Sequence, residues 1–205
     1  MLVKLTNVTK IIKGNTVLDN ITWSIDRGYV YGITGANGSG KTMLLRAISG
    51  FLYISTGKIQ EQTNLRKGII IENPEFLEEL NGLENLQYLA RINNAIDNDR
   101  IYETMLNVGL EPNDLRKVKV YSLGMKQRLA IAQAIMEQPD LLILDEPTRG
   151  LDQDGINQIY KVLNDEKSRG ATILIASHNI KDIQKLCDEI VFMENAKLYN
   201  YIKEK

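Results

Sequence analysis

Apolar and polar residues alternate in LVKLTNV (2–8) and again in VLDNITWSI (17–25), the two-residue period of half-buried strands. YVYGIT, entered from Gly28, continues as a more apolar strand. The period then changes. In KTMLLRAISGF apolar positions recur three and four apart and stop at Gly50, which predicts a helix after the third strand. Short strands are predicted at GKIQ (57–60) and GIII (68–71). NGLENLQYLARINN and RIYETMLNVGL have the spacing of amphipathic helices, and a third helix is predicted from about Gly124 through Met136, ended by Pro139. Strand runs resume at LLILD (141–145), ATILIAS (171–177) and EIVFME (189–194), with helical spacing over 153–168 and 179–187. Strands alternating with helices predict an α/β fold, a mainly parallel sheet covered by helices. The single domain, 1–205, is expected to have a core of 1–72 and 139–205 with a helical subdomain, 73–138, inserted into it.

Composition narrows this reading only slightly. With 205 residues, 43% of them apolar, the chain can bury one sizeable core. A net charge of −1 advertises no broad basic face, so no nucleic-acid partner is expected. MLVKLTNVTK lacks the apolar run of a secretory signal, and LLIL is far too short to span a bilayer, so no transmembrane segment is expected. The single cysteine, Cys187, cannot form an internal disulfide, which suits a reducing compartment, and it is expected to be a small buried residue.

Chemistry enters at Gly35-Ala36-Asn37-Gly38-Ser39-Gly40-Lys41-Thr42, which matches G-x-x-x-x-G-K-S/T with a strand before it and a helix after it. Glycines let the backbone gather several N–H groups around phosphates, and the following helix adds its positive end. Lys41 would neutralise the β- and γ-phosphates of ATP, and the Thr42 hydroxyl would take one Mg²⁺ position, with Met43 next to the loop. LLILDEPTRGLD supplies carboxylates at the end of a buried strand. Asp145 is expected at the Mg²⁺, and Glu146 is expected to polarise the attacking water. His178, the only histidine, follows ATILIAS at the same rim, where it is expected to contact the γ-phosphate or to hold Glu146 and the water in register.

With GANGSGKT, IENPEF, YSLGMKQRLAIAQAI, LLILDEP, TRGLD and ASH in this order, the chain resembles the ATP-binding subunit of an ABC transporter over its whole length. The combination SLGMKQR with a Glu-bearing loop looks like the branch of bacitracin- and lantibiotic-type peptide exporters. The resemblance implies a P-loop NTPase of ABC type with an antiparallel β region and a helical subdomain. It also implies a second ATP-binding domain facing the first head to tail, a transmembrane permease subunit, and a place on the inner face of the cell membrane through that permease. An ATPase acting as a soluble regulatory or structural module, without transport, is the alternative.

The resemblance carries further residues. Ile12, with Val17 nearby, matches the position of the aromatic that stacks on adenine. Glu72 stands where a metal- or water-contacting Gln is usual, and a carboxylate is also a hard oxygen ligand. Tyr121, Ser122, Leu123, Gly124 and Met125 form the signature segment, which is expected to contact the partner's ATP through the Ser122 hydroxyl and the Gly124 N–H. Leu123 replaces a glycine, so Leu123→Gly is expected to raise activity if that position needs a positive φ. Asp152 is expected near the dimer seam. A short helix after IENPEF is expected to relay motion to the permease.

Overall fold

The computed structural model describes residues 1–200 apart from 73, 74 and 94, with the backbone alone at 181 and 182. A three-stranded antiparallel sheet of β1 (Val3–Ile12), β2 (Asn15–Ile25) and β4 (Thr56–Glu61) has the order β2-β1-β4. The main sheet comprises β3 (Val30–Thr34), β5 (Lys67–Ile70), β6 (Leu141–Asp145), β7 (Thr172–Ala176), β8 (Glu189–Glu194) and β9 (Lys197–Asn200), in the order β5-β6-β7-β3-β8-β9. It is parallel from β5 to β8, and β9 closes the edge antiparallel to β8.

Both faces of this sheet are covered, which explains the unbroken apolar runs of its strands. Leu141 and Ile143 pack with Leu44, Leu45 and Ile48 of α1 (Lys41–Ser49). Leu142 and Leu144, one residue out of phase, pack with Leu129 and Ile131 of α4 (Leu123–Ile135) and Ile159 of α5 (Gln153–Ser168). α6 (Ile180–Leu186) lies against β3, where Cys187 is partly buried and its thiol is pushed up to about 12, chiefly by desolvation. α2 (Gly82–Asn93) and α3 (Asn98–Asn107) complete the helical part with α4. Asn81 and Glu84 cap α2 reciprocally, the Glu84 N–H donating to Asn81 Oδ1 at 2.9 Å and the Asn81 N–H to Glu84 Oε2 at 2.8 Å.

Three features differ from the sequence expectation. The first hairpin runs further, to Ile12 and back from Asn15, because bulges in β1 carry the pairing past the clean alternation. β9 has only four residues and follows a two-residue turn without glycine, so its period is too short to read. The expected short helix after IENPEF is not formed by the described residues 75–80. They make a turn in which the Leu80 N–H donates to the Leu77 carbonyl at 3.0 Å, while 73 and 74 lie outside the described residues.

Candidate nucleotide site

Register assembles the site. Asp145 on β6 pairs with Ala176 on β7, and Ala176 pairs with Ile33 on β3, so three adjacent parallel strands end level. Their carboxyl ends deliver the glycine loop, the Asp145–Glu146 pair and Ser177–His178 to one rim, the usual ligand edge of such a sheet. A cavity of about 800 Å³ opens there. Of the residues expected at ATP and its metal, Asn37, Gly38, Gly40, Lys41, Thr42, Met43, Glu72, Asp145 and Glu146 line it, while Gly35, Ala36 and Ser39 do not.

The loop is tightly built. Lys41 is buried, and its ammonium donates to the carbonyls of Gly35 at 2.8 Å and Ala36 at 3.0 Å, inside the turn. Gly35 has φ 144°, and a Cβ there would sit 2.2 Å from the Met193 carbonyl, so only glycine fits. The β8–β9 turn braces the loop from below, with the Ala196 N–H donating to the Ser39 carbonyl at 3.2 Å. Asn195 and Ala196 both have positive φ, as a two-residue hairpin of this hand needs. Among the described residues Ser39 Oγ is the buried side-chain polar atom lacking a hydrogen-bond partner, and it belongs to this loop.

Thr42 donates its hydroxyl to Asp145 Oδ2 at 2.6 Å. Burial pushes the Asp145 carboxyl up, the Thr42 bond opposes this, and Glu146 pushes it up again. Two hard oxygens, crowded carboxylates and a loop rich in N–H donors fit a divalent ion held with a phosphate, since Mg²⁺ ordinarily takes one or two carboxylates plus phosphate oxygens and water. Glu146 has φ 49°, a left-handed backbone that turns its side chain away from the line of Asp145. Its carboxylate accepts from the His178 N–H at 2.9 Å and the Ser177 hydroxyl at 3.1 Å, and it lies 2.7 Å from His178 Nδ1. His178 is therefore joined to Glu146, although its ring is 67% exposed.

Other expected residues fall elsewhere. Val17 lines the cavity with Thr16, whereas Ile12 sits exposed at the hairpin tip and is not among the lining residues. Ile12 pairs with Asn15 at the end of the hairpin. Glu72 lines the cavity, but its carboxylate is 2.7 Å from the Arg46 guanidinium. Ser122 caps α4, accepting from the Met125 N–H at 3.2 Å, and leaves the first-turn N–H groups of Leu123 and Gly124 without intrahelical acceptors. Tyr121 turns inward, with its hydroxyl at the Gly82 backbone, and Met125 packs on the core, so within this segment their side chains serve the fold. Leu123 is helical and its φ is not positive, which removes the premise that Leu123→Gly relieves strain. Asp152 caps α5, accepting from the Gly155 N–H at 2.9 Å.

The sequence reading missed Thr16, Gln127, Arg149, Asn195 and Ala196 in the lining, and Ser177 on Glu146. Arg149 and Ser177 stand inside the motifs TRGLD and ASH, so a signal existed. Gln127 is buried and donates to the Pro147 carbonyl at 3.0 Å, a contact that only the packing of α4 creates.

A strand, glycine loop and helix enclosing a lysine, with a strand-end aspartate bonded to the loop's threonine, define a P-loop nucleotide hydrolase. Comparison with known proteins takes the assignment one step further. Residues 18–149 match the ABC transporter family. The chain is 44% identical over 206 residues to the uncharacterized ABC transporter ATP-binding protein YybJ of Bacillus subtilis (strain 168), covering 96% of this chain and 94% of that protein. It is 36% identical over 204 residues to the lantibiotic transport ATP-binding protein SrtF of Streptococcus pyogenes, covering 96% and 89%. A solved structure described as the ATP-binding subunit of an ABC transporter superposes with a TM-score of 0.88 at 26% identity, covering 97% of this chain and 88% of that one. The chain belongs to the ABC transporter family. It is an ATP-binding, ATP-hydrolysing subunit of the kind that works with a permease. Among the described residues no helix is long and apolar enough to cross a membrane.

Proposed function

We propose that this chain powers an exporter of a peptide or small toxic compound, held at the inner face of the cell membrane by its permease. The observation that carries the catalytic part is the 2.6 Å bond between Thr42 and Asp145, with Glu146 lining the same cavity. The lantibiotic transport relative supports the cargo class.

In this reading the loop amides of Gly35–Thr42 and the Lys41 ammonium bind the phosphates of ATP. Val17 and Met43 flank the base. Thr42, Asp145 and Glu72 would hold Mg²⁺, which supplies charge neutralisation across the β- and γ-phosphates. Glu146 takes a proton from the attacking water, and Ser177 and His178 fix its carboxylate. Ser122 and Gly124 present their donors to the nucleotide of a second domain, homologous or identical, and Asp152 lies at the seam between the two.

Steady-state ATP turnover tests the assignment. Glu146→Gln is expected to lower turnover by about 10² to 10⁴, the usual contribution of a positioned general base, without weakening nucleotide binding. Equal turnover by wild type and Glu146→Gln would overturn it.

A further inference from the structure

The Glu72 carboxylate stands at the junction of two fields. It lines the same cavity as Thr42 and Asp145, yet its partner is Arg46, at 2.7 Å. Arg46 lies on α1 four residues beyond Thr42, so the two side chains are neighbours on one face of that helix. One helical turn rises about 5.4 Å, which is within the swing of a glutamate side chain. The backbone brings Glu72 there in an uncommon shape: its φ is 65°, although it is neither glycine nor asparagine. Such conformations persist only where the surroundings hold them.

Charge decides which partner Glu72 takes. Asp145 and Glu146 stand on the cavity side; of the cations in the lining, Lys41 and Arg149, the Lys41 ammonium is already spent on two loop carbonyls. A third carboxylate is repelled from this corner and attracted to Arg46. A divalent cation held by Thr42 and Asp145 would offset that repulsion and offer the Glu72 carboxylate a second partner. The Arg46–Glu72 pair is itself half exposed, with Glu72 at 58% and Arg46 at 34%, so it is a weak bond that a metal can outbid.

We propose that Arg46 is a positioning residue that competes with the divalent cation of ATP·Mg²⁺ for the Glu72 carboxylate. This rests on the reading of Thr42 and Asp145 as metal ligands. The competition sets how much Mg²⁺ is needed before the Glu72 carboxylate leaves Arg46 for the metal. A glutamine in place of Glu72 would feel neither partner as strongly, so the device belongs to the acidic residue that this chain carries.

Equilibrium binding of a fluorescent ATP analogue, titrated with Mg²⁺ at fixed nucleotide, provides a readout separate from turnover. Glu72→Gln is expected to raise the Mg²⁺ midpoint. Arg46→Gln is expected to lower it by a factor of about two to five, the size expected of a half-exposed ion pair. In the Glu72→Gln background the Arg46→Gln shift should vanish. An equal shift in both backgrounds would show Arg46 acting as a bare charge and would overturn the proposal. Thr42→Ala separates the two readings. If it raises the midpoint while Arg46→Gln has no effect, the metal site stands and the competition falls. If Thr42→Ala also leaves the midpoint unchanged, the metal reading falls and takes the competition with it.

Discussion

The phosphate loop and the signature segment are both glycine-bearing turns into a helix, but they are built in opposite senses. The loop closes on itself: Lys41 is 7% exposed and bonded to two carbonyls of its own turn, and Gly35 is wedged against the β8–β9 hairpin. The signature segment opens outward. Ser122 is exposed, Leu123 is 53% exposed, and the first turn of α4 carries unsatisfied N–H groups toward solvent, while Tyr121 and Met125 anchor it from beneath. The loop is held by bonds within the chain. The signature segment presents its donors outward, and in the proposed function a second domain completes it.

Substitutions can break this contrast. The largest effect is expected from Lys41→Ala, which should weaken nucleotide binding by the isolated domain about ten- to a hundred-fold in equilibrium titration, the scale of hydrogen bonds made by a charged group. Ser122→Ala should leave that affinity unchanged. It should instead remove the cap of α4, costing about 1 kcal/mol in denaturant unfolding, and reduce ATP-driven dimer formation in gel filtration.

Leu123→Gly sharpens the comparison further. Leu123 packs against Gly150, where an added Cβ would meet it at 2.6 Å, and it is the first helical residue. The glycine variant should therefore lose about 0.5–1 kcal/mol of stability and some turnover, contrary to the gain expected from the family pattern.

Asp145→Asn probes the cost of the closed site. The folded-state pKa of Asp145 is raised, so its contribution to stability is full below the ordinary aspartate value and is lost as pH rises through the folded value. The ionised carboxylate is thus a small liability at neutral pH. Asp145→Asn should raise the melting temperature slightly at pH 7, and the difference should shrink on acidification.

The parallel sheet, its strand ends and the positions of 35–42 and 145–146 were legible because each rests on local physics. Apolar period fixes the strands, glycine fixes the loop, and acids placed straight after a buried strand must emerge at its rim. The inward turn of Tyr121 and Met125 was not legible because a motif gives residue order and not side-chain direction. The α4 helix begins at Leu123 with Ser122 as its cap, and that start turns both neighbours inward. Ile12 was placed at the base through position alone, and the bulged hairpin moved it to a tip.

Sequence by itself therefore determined the fold class, the phosphate loop and the paired carboxylates. Tertiary structure decided what depends on residues far apart in the chain. It gave Glu146 its hold by Ser177 and His178, gave Glu72 to Arg46, and set the β9 hairpin beneath the loop. Each of these contacts joins elements brought together only when the sheet orders its strands, so no window along the chain contains both partners.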